Sequence, residues 1–180
     1  MNGHTKFQQA VLGGGCFWCL EAVYQEVNGI QAVVSGYAGG RLAHPTYERV
    51  SSGTTGHAEV VRLTFDSATI SYDDILDIFW AIHDPTTPGR QGNDVGSQYR
   101  SIIFYANDEQ RRQAERSKAK AAKLWPDPIT TELQPLETFY PAEAYHQNYF
   151  RSHPEAAYCQ LVINPKLQKL REKFQARLKG

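Results

Sequence analysis

Three consecutive glycines separate two hydrophobic periods near the start of this chain, and no single element can satisfy both. Before them, residues 7–12 form a short apolar stretch that reads as a strand. After them, Phe17, Leu20, Val23, Tyr24 and Val27 recur at helical spacing. Gly13-Gly14-Gly15 is therefore a strand-to-helix turn, and Cys16 opens a helix predicted over residues 16–27. The first N–H groups of a helix have no intrahelical partner, and with the helix dipole they stabilise an anion. A thiolate at that position has a lowered pKa and is a better nucleophile at neutral pH. Phe17 and Trp18 add an apolar, aromatic-lined pocket beside the sulfur. The plainer reading of Cys16 is a buried, inert thiol, since free cysteine is among the most buried residue types. Its place at a glycine-flanked helix start favours the reactive reading.

The remaining periodicities give the fold class. Residues 30–37 read as a second strand after Gly29, the predicted helix C-cap. Residues 38–56 form a long loop with a short turn near 47–50, and residues 57–65 a third strand. Ser71 caps a second helix that runs to Ile82, with Asp74 completing a capping box. A second long loop covers 84–98, and residues 100–105 form a fourth strand. The order β-α-β-β-α-β is the split βαβ, or ferredoxin-like, unit. An α/β (α+β) fold is expected, with two layers, a mainly antiparallel sheet, long functional loops and an extra C-terminal helix. Asn107 caps a basic third helix to about residue 124. Strands are predicted near 129–134 and 138–140, helix over 143–150, and a last helix from Asn164-Pro165 to Leu178.

With 180 residues and no linker or repeat, one domain spanning residues 1–180 is expected. A hydrophobic content of 41% with 21% charged residues excludes a disordered chain. The formal net charge is zero, so no nucleic-acid or acidic-membrane partner is indicated. No apolar run approaches the roughly 20 residues that span a bilayer. Residues 1–6 carry no secretory pattern, which makes the cytoplasm the expected location. Three cysteines are too few, and odd in number, for a disulfide scaffold, so redox or nucleophilic use is the natural reading.

The third strand carries an unexpected carboxyl group. Alternation puts His57, Glu59, Val61, Leu63 and Phe65 on one face, the more apolar one. Burial there raises the pKa of Glu59, and a protonated carboxyl at neutral pH can serve as a general acid. Equally open is a Glu59 at the exposed strand end or paired with Arg62. The long loops hold Tyr37, Tyr47 and Tyr99, whose hydroxyls can donate to a developing negative oxygen or simply pack.

Cys16-Phe17-Trp18-Cys19 is formally a C-x-x-C. It admits a thioredoxin-like redox pair, half a zinc site, or a buried Cys19; bulky spacers and missing partner ligands favour the last. Cys159 lies in a loop-like stretch. On a mobile tail it could resolve an oxidised Cys16; the competing reading is a core thiol in a short strand over 158–163.

Several blocks stand in one order along the chain. They are Gly13-Gly14-Gly15-Cys16-Phe17-Trp18-Cys19-Leu20-Glu21-Ala22, Gly36-Tyr37-Ala38-Gly39-Gly40, Pro45-Thr46-Tyr47 and Thr55-Gly56-His57-Ala58-Glu59. His83-Asp84-Pro85, the run from Arg90 through Asp94 and Tyr99 to Ser101, and the run from Phe139 to Gln147 follow. In these blocks, over about residues 10–163, the chain resembles the peptide methionine sulfoxide reductases of the A type. The resemblance implies reduction of the S-epimer of methionine sulfoxide, free or in oxidised proteins. It implies Cys16 as nucleophile, Phe17 and Trp18 as the wall for the substrate methyl group, and Glu59, Tyr47 and Tyr99 as hydrogen-bonding partners of the sulfoxide oxygen. Asp94 would support the pocket. Cys159 would resolve the Cys16 sulfenic acid as a disulfide reduced by thioredoxin, or by dithiothreitol in vitro. No metal and no bound cofactor are expected, and a monomer is. Two rival readings are a general thiol–disulfide oxidoreductase using Cys16 and Cys19, and a metal-binding module using the cysteines and nearby histidines.

Overall fold

The computed structural model describes residues 7–179; the expectation about residues 1–6 lies outside them. In chain order the elements are β1 (Phe7–Gly13), α1 (Phe17–Gln25), β2 (Ile30–Ala38), α2 (Tyr47–Ser51), β3 (Ala58–Asp66) and α3 (Tyr72–Ile82). Then come β4 (Arg90–Gln91), β5 (Asp94–Val95), β6 (Ile102–Tyr105), α4 (Asp108–Ala122), β7 (Glu132–Pro135) and β8 (Phe139–Pro141). α5 (Tyr149–Ser152) and α6 (Asn164–Phe174) complete them. The six-stranded sheet has the order β7-β6-β1-β3-β2-β8. Its central part, β6-β1-β3-β2, is the expected ferredoxin-like unit, entirely antiparallel. β8 adds antiparallel to β2, and β7 adds parallel to β6.

Alternation along β3 separates the two sheet faces. Val61, Leu63 and Phe65 join residues of α1, α3, α4 and α6 in the main core. Ala58 and Val60 join Val11, Ala38, Ile102 and Phe104 on the opposite face. Helices therefore cover one face, and Glu59 stands on that face. α3 begins in the predicted capping box: the Ser71 hydroxyl accepts the Asp74 N–H at 3.0 Å, and the Asp74 carboxylate accepts the Ser71 N–H at 3.1 Å. Its side chains Ile75, Leu76, Phe79, Trp80 and Ile82 are all buried.

The glycine turn is tight for two separate reasons. Gly15 has φ +94°, where an L side chain is strained. Gly13 lies so close to β3 that a Cβ would sit 2.9 Å from the Glu59 carbonyl oxygen. The turn thus presses the start of α1 against the strand that carries Glu59.

The C-terminal third departs most from expectation. Residues 143–150 do not form one helix. A 3₁₀ turn, Ala144–His146, and α5 are separated by Asn148 in the left-handed conformation, φ 56°. Residues 159–163 form neither strand nor loose tail. Cys159–Ile163 is a π-helical turn that runs directly into α6. Pro165 accounts for the wide turn: it has no N–H to donate, and in an α-turn its ring would crowd the carbonyl four residues back. Asn164 is accordingly helical (φ −56°, ψ −43°) rather than an N-cap.

Candidate active site

Cys16 is the N-cap of α1, in extended backbone geometry, and its carbonyl accepts the Cys19 N–H at 3.1 Å. The Gly15 N–H donates to the Tyr99 carbonyl at 3.2 Å, which fastens the 3₁₀ turn Ser97–Tyr99 beside the cysteine. Cys16 is 8% exposed, and Cys16, Cys19 and Cys159 are all free thiols.

The first donor of the helix does not serve the sulfur. The Phe17 N–H donates to Glu59 Oε1 at 3.0 Å. Glu59 is 1% exposed, and its Oε2 is buried without a partner. Burial pushes its pKa up to about 8, opposed by the Phe17 N–H and assisted by the Asp94 carboxylate. Arg62 does not pair with it; its guanidinium lies over the Phe139 ring at 4.5 Å, on the opposite sheet face.

Cys16 corrects the expectation of a ready-made thiolate. Burial, then the neighbouring Glu59 and Cys19, raises its pKa well above the ordinary thiol range. The helix terminus is present, with the Phe17 N–H taken by the carboxyl group and the Trp18 N–H turned to the sulfur, but desolvation outweighs that help. The resting pair at neutral pH is a thiol beside a carboxylic acid.

Two phenols lie within electrostatic reach of this pair. Tyr47 opens α2, whose N-cap Thr46 accepts the Arg49 N–H at 3.3 Å. Burial, Glu59 and Cys16 raise the Tyr47 pKa; burial, Glu59, Tyr47 and Cys16 raise that of Tyr99. These electrostatic influences link Cys16, Glu59, Tyr47 and Tyr99 in one site. Among the described residues, no carboxylate or carbonyl accepts a hydrogen bond from either phenol, so both can donate to a ligand. The long loop between β2 and β3 is organised by His57, whose Nδ1 accepts the Gly40 N–H at 3.0 Å and whose Nε2 lies 2.7 Å from the Leu42 carbonyl.

The aromatic wall is Trp18. Its ring stacks on Tyr149 (3.7 Å between centroids, 7° between planes), and its indole N–H donates to His146 Nδ1 at 3.2 Å. Phe17 is fully buried behind it, against Tyr37 and His146. Asp94 lies on β5 and accepts the Tyr158 hydroxyl at 2.7 Å. The same hydroxyl is 3.5 Å from Cys19 Sγ. Cys19 is therefore a buried thiol at the edge of the site, its pKa pushed up to about 11 chiefly by burial. Cys159 is 0% exposed in the π-helical turn, a core thiol as the competing reading had it, though in a helical turn rather than a strand. Among the described residues, no group of three or more His, Cys, Asp or Glu side chains could hold a metal ion.

A family model described as peptide methionine sulfoxide reductase matches residues 8–178. The chain belongs to that family. Peptide methionine sulfoxide reductase MsrA of Leptospira borgpetersenii is 61% identical over 96% of this chain and 99% of its own length. Among solved structures, reduced Mxr1 of Saccharomyces cerevisiae superposes with a TM-score of 0.82 at 34% identity, covering 86% of this chain and 90% of that one. Mxr1 in complex with Trx2 matches with a TM-score of 0.58 at 27% identity, covering 80% and 85%. The fold of this family member is thus the one expected from β-α-β-β-α-β order.

Four supports of the reductase site were missed from sequence. Glu143 accepts the Tyr37 hydroxyl at 2.8 Å and the Tyr47 N–H at 2.9 Å, which positions α2. His146 is 1% exposed, holds the Trp18 indole, and keeps Nε2 buried without a partner; burial lowers its pKa. Glu21, also 1% exposed, accepts the N–H groups of Asn148 at 2.8 Å and Tyr149 at 3.1 Å. It stands one turn beyond Trp18 and so holds Tyr149 over the indole. Tyr158 ties Asp94 to the segment that carries Cys159. Glu21, Glu143 and His146 fall inside the quoted blocks, but only the fold reveals their partners.

Proposed function

We propose that this protein reduces the S-epimer of methionine sulfoxide, in oxidised proteins and as the free amino acid, by the chemistry of Cys16. The observation that carries this reading is Glu59: a buried carboxyl with a pKa of about 8, next to Cys16 and with one oxygen unpartnered. A sulfoxide oxygen is a poor leaving group until it is protonated. Glu59 gives that proton, and Tyr47 and Tyr99 donate hydrogen bonds to the same oxygen. The Cys16 sulfur attacks the sulfoxide sulfur, and the Glu59 carboxylate left behind receives the thiol proton. Glu59 passes that second proton to the oxygen, which leaves the substrate sulfur as water. Water then adds to the Cys16 sulfur, methionine departs, Glu59 takes back one proton, and Cys16 remains as a sulfenic acid.

Cys159 then attacks the Cys16 sulfur, water leaves, and a Cys16–Cys159 disulfide forms. Because Cys159 is buried, this step requires the π-helical turn to open. Thioredoxin supplies the two electrons that return the disulfide to thiols, with dithiothreitol as a substitute. The Trx2 complex of Mxr1 supports that choice of reductant. No bound cofactor takes part in this scheme, and it runs in a monomer in the cytoplasm.

The test is reduction of the separate S- and R-epimers of N-acetylmethionine sulfoxide with dithiothreitol. Product from the S-epimer alone is expected. Product from the R-epimer, or from neither, overturns the reading.

A further inference from the structure

A cavity of about 590 Å³ lies away from the reductase site, over α3 between the C-terminal parts of α4 and α6. None of its lining residues belongs to the constellation around Cys16. Its walls are apolar: Trp80, Trp125 and Phe174 contribute rings, and Leu124 at the rim is 78% exposed. The Trp80 indole N–H donates to the Ser117 hydroxyl at 2.8 Å, so the donor of the floor's indole is already engaged. The volume falls in the range of small-molecule sites, roughly 300–1,000 Å³.

The polar rim is cationic. Lys120, Lys169 and Lys173 line the cavity, against one carboxylate, Asp77. Among the described residues none of the three lysines forms an ion pair, whereas Arg171 and Arg177 of the same C-terminal segment pair with Glu26 and Asp74. Lys120 and Lys173 stand in the last turns of their helices, where a cation also meets the helix dipole. Lys169 does not. Partial desolvation, followed by Lys173 and Lys166, lowers its pKa.

We propose that this cavity binds a small amphipathic anion: an apolar chain or ring over Trp80 and Trp125, with a carboxylate head between Lys169 and Lys173. Charge complementarity selects this occupant, because an uncharged apolar molecule would leave the lysines unanswered and a cation would be repelled.

The experiment titrates the full chain with decanoate, below its micelle concentration, and with decanol, following the indole N–H signals by ¹H–¹⁵N NMR. Decanoate should shift the Trp80 and Trp125 signals saturably and leave that of Trp18 unmoved. Decanol should bind at least about tenfold more weakly, and Lys169→Gln with Lys173→Gln should weaken decanoate about tenfold. The variant should keep the wild-type rate of sulfoxide reduction. As a measurement needing no variant, decanoate affinity should fall with added salt while decanol affinity does not. No saturable shift, equal binding of decanol, salt-independent decanoate binding, or a shift confined to Trp18 would each overturn the proposal.

Discussion

Glu59 reaches across from β3 and accepts the Phe17 N–H at 3.0 Å, the first free donor of the helix that Cys16 opens. The first N–H of the helix therefore serves the acid, while the next, that of Trp18, serves the Cys16 sulfur. One hydrogen bond does not offset burial, and the carboxyl still titrates near 8. Removing its proton-donating ability while keeping its shape isolates that role. Glu59→Gln should lower kcat/KM for the S-epimer by about 10²–10⁴-fold, measured with dithiothreitol. In wild type, kcat/KM should fall as pH rises above about 8, and the variant should lack that limb.

The same group links stability to pH. Its folded pKa, about 8, exceeds the ordinary value of 4.5, so the folded state holds the proton more tightly than the unfolded state. The contribution of Glu59 is most favourable below pH 4.5, declines between 4.5 and about 8, and is flat above. At about 1.4 kcal/mol per pH unit the penalty has an upper limit of about 5 kcal/mol. Urea unfolding of wild type and Glu59→Gln at pH 5 and pH 8.5 checks this. The variant should gain stability relative to wild type as pH rises; a constant difference would contradict the buried acid.

Among the described residues, no carboxylate or carbonyl engages the hydroxyls of Tyr47 and Tyr99, and Tyr47 meets the Ser51 side chain. Tyr47→Phe and Tyr99→Phe should each lower kcat/KM by about 10- to 100-fold with little change in urea midpoint. A loss of stability matching the loss of activity would make the phenols packing groups.

Glu21 supports the wall without touching the reacting centre. Glu21→Ala removes the acceptor of two part-buried backbone N–H groups and should cost about 1–2 kcal/mol. The milder Glu21→Gln keeps one acceptor. It should loosen Tyr149 from Trp18, raising KM for N-acetylmethionine sulfoxide about tenfold while kcat falls less than about threefold. An unchanged KM with lowered kcat would assign Glu21 to a different step.

Much of this architecture was legible because it rests on local signals. The glycine turn, the Ser71 capping box and the alternation that puts Glu59 with Val61 and Leu63 each need only a few neighbouring residues. What was illegible depends on partners distant in sequence. The helix start at Cys16 predicts a lowered pKa until a carboxylate arrives from 42 residues away and burial reverses the sign. The apolar run near Cys159 is too short for periodicity to separate strand from helix, and Pro165 settles it as a π-helical turn. β4 and β5 are two residues each, below any repeating pattern. Glu21 and Glu143 read as ordinary acidic residues until the N–H groups they hold are seen.

Cys19 and Cys159 divide by environment. Cys19 is held at the Tyr158 hydroxyl, and Cys159 is poised in an irregular turn. Cys19→Ser should leave thioredoxin-coupled turnover within about twofold of wild type. Cys159→Ser should abolish it.

The most direct measurement is a single turnover of Cys159→Ser with the S-epimer of N-acetylmethionine sulfoxide and no reductant, read by methionine release and by mass spectrometry of the Cys16 peptide. The account predicts one product per chain and a Cys16 that has gained one oxygen atom. Product without oxidation of Cys16, or an oxygen found on Cys19 instead, would contradict it.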